Sequence, residues 1–209
     1  MNYNQTLNEY LESLSSKSPT PGGGNVSAFC GTLASSLAIM VCNLTIGKKK
    51  YFEVESEMIE LKNQLEKIKN KFSDLADKDN EAFDKVMDAF KLPKETEDEK
   101  DIRSKKIDEV TFGAAEIPTE VINTCRLILP FIKTVAEKGN QNSFSDVGVA
   151  TALINAANQG AFLNVLINCT SLSNQTIGNE YLKRIEIIFE EVKNSCDEIT
   201  GSINNKLRS

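Results

Sequence analysis

Apolar residues recur three and four positions apart along most of the chain, the spacing of helices with one buried face. The longest such segment runs Met58, Leu61, Leu65, Ile68, Phe72, Leu75, then Ala82, Val86 and Ala89. Between Leu75 and Ala82 the pattern calls for an apolar side chain and the chain has Asp79. A carboxylate there reads either as a salt-bridged or frayed position or as a site residue, since buried carboxylates need a partner or a purpose. By restoring the apolar seam, Asp79→Leu is expected to leave the bundle as stable or more so while harming activity. Shorter stripes predict a helix over residues 4 to 15 (Leu7, Tyr10, Leu11, Leu14) and another from 96 with Ile102, Val110, Ala114 and Ile117 inward. Further stripes predict one with Val121, Cys125, Ile128, Ile132 and Val135, and a last one over about 179 to 205.

Two stretches lack the polar face that the others have. Residues 26 to 46 and 147 to 179 contain no charged side chain. The first interleaves Ser27, Ala28, Gly31, Ala34, Ser35 and Ala38 with Phe29, Leu33, Leu37, Ile39 and Met40, a composition suited to a close-packed central helix. Both are long enough to span a bilayer. The second carries Asn155, Asn158, Gln159, Asn164 and Asn168, amides that are costly in lipid, so both are read as interior helices rather than membrane spans. With no strand signal, no repeat and no linker, the expectation is all-α: a single domain over residues 1 to 209, a bundle of about six or seven helices with two uncharged central helices.

The breaks between helices carry most of the candidate chemistry. Pro19, Pro21 and the run Gly22, Gly23, Gly24 predict a tight turn ahead of the first uncharged helix. Bare amides there suit a carboxylate or phosphate, although a plain connector that lets two helices pack closely fits the same residues. The run matches neither the phosphate-loop nor the dinucleotide spacing. Pro93 closes the long helix, Thr96 and Glu99 form a capping box, Pro118 is expected to break or restart the next helix, and Pro130 to kink it. The turn-rich stretch 139 to 145 leads to Asp146, which with Ser143 has the spacing of an acidic capping box.

Charge and cysteine content narrow the classes. The net charge of −6 argues against nucleic acid as a partner, because a polyanion needs a basic face. The five cysteines are odd in number, scattered along apolar stripes and without a Cys-x-x-Cys pair, which fits reduced thiols in a cytoplasmic protein. The first nine residues have no basic residue and no apolar run, and predict no leader peptide. With no histidine and no clustered thiol pair, a zinc site is not expected, and acid/base work would fall to carboxylates or lysine.

Taken together, Pro19-Thr-Pro-Gly-Gly-Gly24, Asn43-Leu-Thr-Ile-Gly-Lys-Lys-Lys-Tyr51, Asp79-Asn-Glu-Ala-Phe83, Leu92-Pro-Lys94, the stretch from Gly139 through Asp146 to Ala150, and Asn164-Val-Leu-Ile-Asn168 resemble the formiminotransferase-cyclodeaminase C-terminal domain family. The similarity covers nearly the whole chain, with the motifs in family order; the amino-terminal formiminotransferase part is not matched. Free-standing bacterial members of that family include methenyltetrahydrofolate cyclohydrolases.

The resemblance implies a helical bundle that forms a homodimer, a tetrahydrofolate derivative as substrate and no prosthetic group. It also implies one of two reactions: hydrolysis of 5,10-methenyltetrahydrofolate to 10-formyltetrahydrofolate, or ring closure of 5-formiminotetrahydrofolate with loss of ammonia. Asp146 is the expected principal acid/base residue and Asp79 the second, with Asn142 and Asn168 as orienting groups. Lys48 and Lys49 are candidates for the glutamate tail, and Asn43, Gly22, Gly23 and Gly24 for other substrate contacts. A folate-binding helical protein without turnover is the alternative from another class, since fold does not guarantee function.

Overall fold

The computed structural model describes residues 5–209. Six helices hold nearly all of them: α1 (Leu7–Leu14), α2 (Gly23–Thr45), α3 (Glu55–Phe90), α4 (Glu97–Lys138), α5 (Phe144–Thr170) and α6 (Gln175–Arg208). Short 3-10 segments occupy Lys49–Val54 and Gln141–Ser143, and no strand occurs among the described residues, as the all-α expectation required.

The small residues of α2 place it at the centre, packed against α3, α5 and α4. Ala28, Ala34 and Ala38 are fully buried, and a Cβ added at Gly31 would lie 2.5 Å from the Phe72 ring of α3. On α5, Gly160 faces Ser27 so closely that a Cβ there would run into the Ser27 hydroxyl. These close approaches fix direction. α2 meets α3 at Gly24 with Asp79 and at Gly31 with Phe72, and just past its end the Gly47 N–H donates to Glu55, so the two are antiparallel. α5 is antiparallel to α2 as well, with Asn164 beside Gly23 at one end and the Asn140 loop on Leu44 and Thr45 at the other.

The seam of α3 supplies much of the core: Met58, Leu65 and Phe72 are fully buried, each contributing about 1.5–3 kcal/mol relative to exposure. The Thr96 and Glu99 capping box opens α4 as expected. Pro118, however, does not end that helix. α4 runs unbroken for 42 residues through both Pro118 and Pro130, giving six helices, not seven. An interior proline costs about 3 kcal/mol. Here it sits on the buried face, flanked by Ala114, Ala115, Val121 and Ile122, whose burial against neighbouring helices offsets that cost.

Three smaller expectations shift. In α1 only Tyr10 is buried, while Leu7 and Leu11 are exposed, and residue 4 of that predicted helix lies outside the described residues. Ile102 is exposed rather than inward. The uncharged run from 147 is not one helix: it crosses the turn between α5 and α6. By length and composition α2 alone among the described helices matches a membrane span, and more than half of its apolar window is buried in the bundle.

Candidate active site

The expected site residues fall into two groups at opposite ends of α2. At the first end, the glycine turn delivers α2 with Gly22 as its N-cap and no side-chain cap of its own. The missing cap comes from α3. Asp79 lies against Gly24, and the backbone N–H of Asn25 donates to its carboxylate. That amide is one of the unpaired donors of a first helical turn, so Asp79 does in trans what an N-cap aspartate does locally. Burial pushes the Asp79 carboxyl above the ordinary carboxylate range, and the Asn25 bond pulls it part of the way back. The interrupted seam position is therefore half-buried and faces the positive end of a helix.

Asn25 went unnoticed in the sequence and holds this end together. It is 2% exposed; its side-chain oxygen accepts from the Tyr10 phenol at 2.9 Å, and its amide nitrogen donates to the Ala76 carbonyl at 2.8 Å. Gly23 stands next to Asn164 of α5, whose amide donates to the Gly160 carbonyl at 2.8 Å. Asn168 follows one turn along α5, half-buried. Gly22, Gly23, Gly24, Asp79, Asn164 and Asn168 thus share one end of the bundle.

The second end gathers Asn43, Lys48, Lys49, Asn142 and Asp146. Its frame is Asn140, another residue without a sequence signal. Asn140 is buried; its backbone N–H donates to Thr45 Oγ1 at 2.9 Å and its side-chain amide to the Leu44 carbonyl at 2.9 Å, closing the C-terminus of α2. Its side-chain oxygen accepts from the Asn142 backbone at 3.1 Å. Asp146 is half-buried in the first turn of α5. The capping-box reading of Ser143 and Asp146 does not hold, because Ser143 makes no side-chain cap bond. Among the described residues Asp146 has neither a hydrogen bond nor an ion pair, and Asn43, Lys48, Lys49 and Asn142 are exposed beside that end of α2.

From Gly24 to Leu44 the rise of α2 separates the two ends by about 30 Å. One chain therefore cannot bring Asp79 and Asp146 onto the same small substrate. Each end has half of what the sequence suggested: a cap-bound carboxylate beside the glycine turn, or a carboxylate without a partner among the described residues beside the lysines.

The buried thiols are not activated nucleophiles. Burial pushes the Cys42 thiol up to about 11 and Cys196 up to about 12, so these sulfurs stay protonated and poor nucleophiles at neutral pH. All five cysteines are free, and among the described residues no group of three or more Cys, Asp or Glu side chains converges on a common point.

The chain is similar in sequence and fold to known proteins. A methenyltetrahydrofolate cyclohydrolase of Methylorubrum extorquens is 38% identical over 204 residues, covering 98% of both chains. The formimidoyltransferase-cyclodeaminase of Rattus norvegicus is 29% identical over 198 residues, which are 95% of this chain and 37% of that protein. A crystal structure of a formiminotetrahydrofolate cyclodeaminase from Thermotoga maritima superposes with a TM-score of 0.79 at 34% identity, covering 95% of this chain and 97% of that one. The family model described as formiminotransferase-cyclodeaminase matches residues 6–187. The chain belongs to the formiminotransferase-cyclodeaminase family.

Proposed function

We propose that this protein is a one-carbon folate enzyme that hydrolyses 5,10-methenyltetrahydrofolate to 10-formyltetrahydrofolate, and that it does so as a homodimer in which each site takes one end from each subunit. The observation carrying the second half is the separation of Asp79 from Asp146. α2 and α5 lie side by side and expose uncharged faces, including Leu33, Leu44, Val149, Leu163, Leu166 and Ile167. Exposed apolar side chains on two neighbouring helices suit a partner. A second copy laid antiparallel on this face sets the glycine end of one chain against the lysine end of the other, and two-fold symmetry makes two such sites.

The substrate is a cationic amidinium whose bridging carbon is already electrophilic. Catalysis then needs a positioned water, a base and a group that carries a proton to the departing folate nitrogen. Asp146, without a partner among the described residues, serves as the base for water. Asp79, with its carboxyl held above the ordinary range, stabilises the cation and shuttles the proton as the bond between the bridging carbon and N5 breaks. Asn142 and Asn168 orient the substrate, Lys48 and Lys49 meet its glutamate tail, and Asn43 and the glycine amides complete the contacts. No metal or prosthetic group enters this scheme, and the reading places the enzyme in the cytoplasm, with no nucleic-acid or membrane partner.

A second reading is cyclodeamination of 5-formiminotetrahydrofolate, favoured by the likeness to the Thermotoga maritima structure. Both reactions pass through a tetrahedral carbon between two folate nitrogens, so one site can serve both. Purified protein is to be assayed with each substrate. Faster loss of methenyl absorbance than in buffer supports the first reading, and ammonia release from the formimino compound the second. Folate binding with neither reaction leaves only a non-catalytic binding protein and refutes both.

A further inference from the structure

The segment that follows α2 carries a side chain whose role the scheme above leaves open. Tyr51 lies within the 3-10 stretch Lys49–Val54, and its backbone departs from helical values (φ −115, ψ 18). Its phenol oxygen reaches the loop ahead of α5, accepting the Gln141 backbone N–H at 3.0 Å and donating to Asn140 Oδ1 at 3.4 Å. Its ring lies under the Lys50 ammonium, 5.4 Å from the centroid.

Asn140 has other anchors on Leu44 and Thr45, whereas the Gln141 amide has this phenol as its acceptor. From Gln141 the chain passes through one 3-10 turn straight into α5, where Asp146 is the third residue. The hydroxyl of Tyr51 thus helps to hold the approach to Asp146, alongside the buried Phe144 ring, which packs under the Lys206 ammonium of α6. The lysine segment also has bonds of its own. That segment is held by the Gly47 N–H on Glu55 Oε1 at 3.0 Å and by the Tyr51 N–H on the Lys48 carbonyl at 2.8 Å.

We propose that Tyr51 is a positioning residue for Asp146: its hydroxyl sets the entry into α5 and with it the carboxylate's place at the reacting carbon, without touching substrate. The proposal rests on Asp146 being the acid/base group. A misplacement of about 1 Å at a reacting centre costs up to about 100-fold, and loss of the two loop bonds of the hydroxyl less than that, so Tyr51→Phe is expected to lower kcat about tenfold. KM stays within about twofold, because the lysines keep their own bonds.

The test is a double-mutant cycle on the full-length protein with 5,10-methenyltetrahydrofolate, comparing the parent, Tyr51→Phe, Asp146→Asn and the double variant, with melting midpoints for all four. If the hydroxyl acts through the carboxylate, Tyr51→Phe has less than about a twofold effect once Asp146 is already Asn. Parental kcat in Tyr51→Phe overturns the proposal while leaving the role of Asp146 intact. So does an equal fold-loss in both backgrounds, or a Tyr51→Phe protein that unfolds at the assay temperature, either of which makes the hydroxyl a support of the fold. Parental turnover in Asp146→Asn overturns the functional reading itself.

Discussion

The carboxyl group of Asp79 fills the space that a side chain on Gly24 would need: a Cβ added there would lie 2.6 Å from Asp79 Cγ. The glycine turn and the interrupted seam of α3 are therefore one feature. The Asp79 carboxylate takes the Asn25 amide of the first turn of α2, and it fits there because residue 24 has no side chain.

Neighbouring glycines should respond very differently to the same change. Gly24→Ala drives a methyl into Asp79 and is expected to destabilise the bundle by about 1–3 kcal/mol, the usual range for overpacking. At Gly23 an added Cβ meets only Asn164 Nδ2 at 3.6 Å, an ordinary contact, so Gly23→Ala should stay within about 0.5 kcal/mol. Chemical denaturation of the two variants checks this, and equal losses would contradict the account.

Asp79 should leave a mark on stability against pH. Its folded carboxyl is raised above the unfolded value, chiefly by burial. Between those two values the folded state therefore binds more protons than the unfolded one, so this group's contribution to stability falls as pH rises from the ordinary carboxylate value through the raised one. Relative to Asp79→Asn, which cannot titrate, the parent should gain stability on acidification through that window. Melting midpoints of the two proteins between mildly acidic and neutral pH measure the difference; a relative loss in the parent would show the opposite shift.

The same geometry reverses an expectation about leucine. Periodicity alone favours Asp79→Leu, because it restores the seam. In the folded chain leucine leaves the Asn25 amide without its acceptor, at about 1–3 kcal/mol, and presses a branched side chain on Gly24. Loss of stability, not gain, is expected in the same denaturation experiment.

For Asp146 the fold has little at stake. Ser143 makes no cap bond, and the carboxylate has no partner among the described residues. Asp146→Asn should lower turnover by at least about 100-fold, the scale of a lost general acid or base, with an almost unchanged melting midpoint. Lost stability with retained turnover would make the side chain a helix-terminus device instead.

Much of this was readable from residue order. The helices and their buried faces follow from periodicity, and Asp79 stood out because a carboxylate interrupted a seam. Asn25 and Asn140 did not, since nothing local distinguishes them. Their partners lie 51 residues away at Ala76 and 95 and 96 residues away at Thr45 and Leu44, and only the packed bundle brings them together. Pro118 misled for a related reason: local backbone chemistry predicted a break, and burial along a long helix outweighed it. Periodicity also reports which face of a helix is buried but not where along a neighbour each residue stands, so the division of the candidate residues between two ends appeared only in three dimensions.

The shared-site claim is tested most directly by co-expressing Asp79→Asn and Asp146→Asn chains, each inactive alone, and measuring methenyl hydrolysis by the mixed dimers. If each site pairs Asp79 of one subunit with Asp146 of the other, half the dimers are mixed and one of their two sites has both aspartates. Activity should then return to roughly a quarter of the parental value. Mixed dimers that form but stay as slow as either variant alone would contradict it.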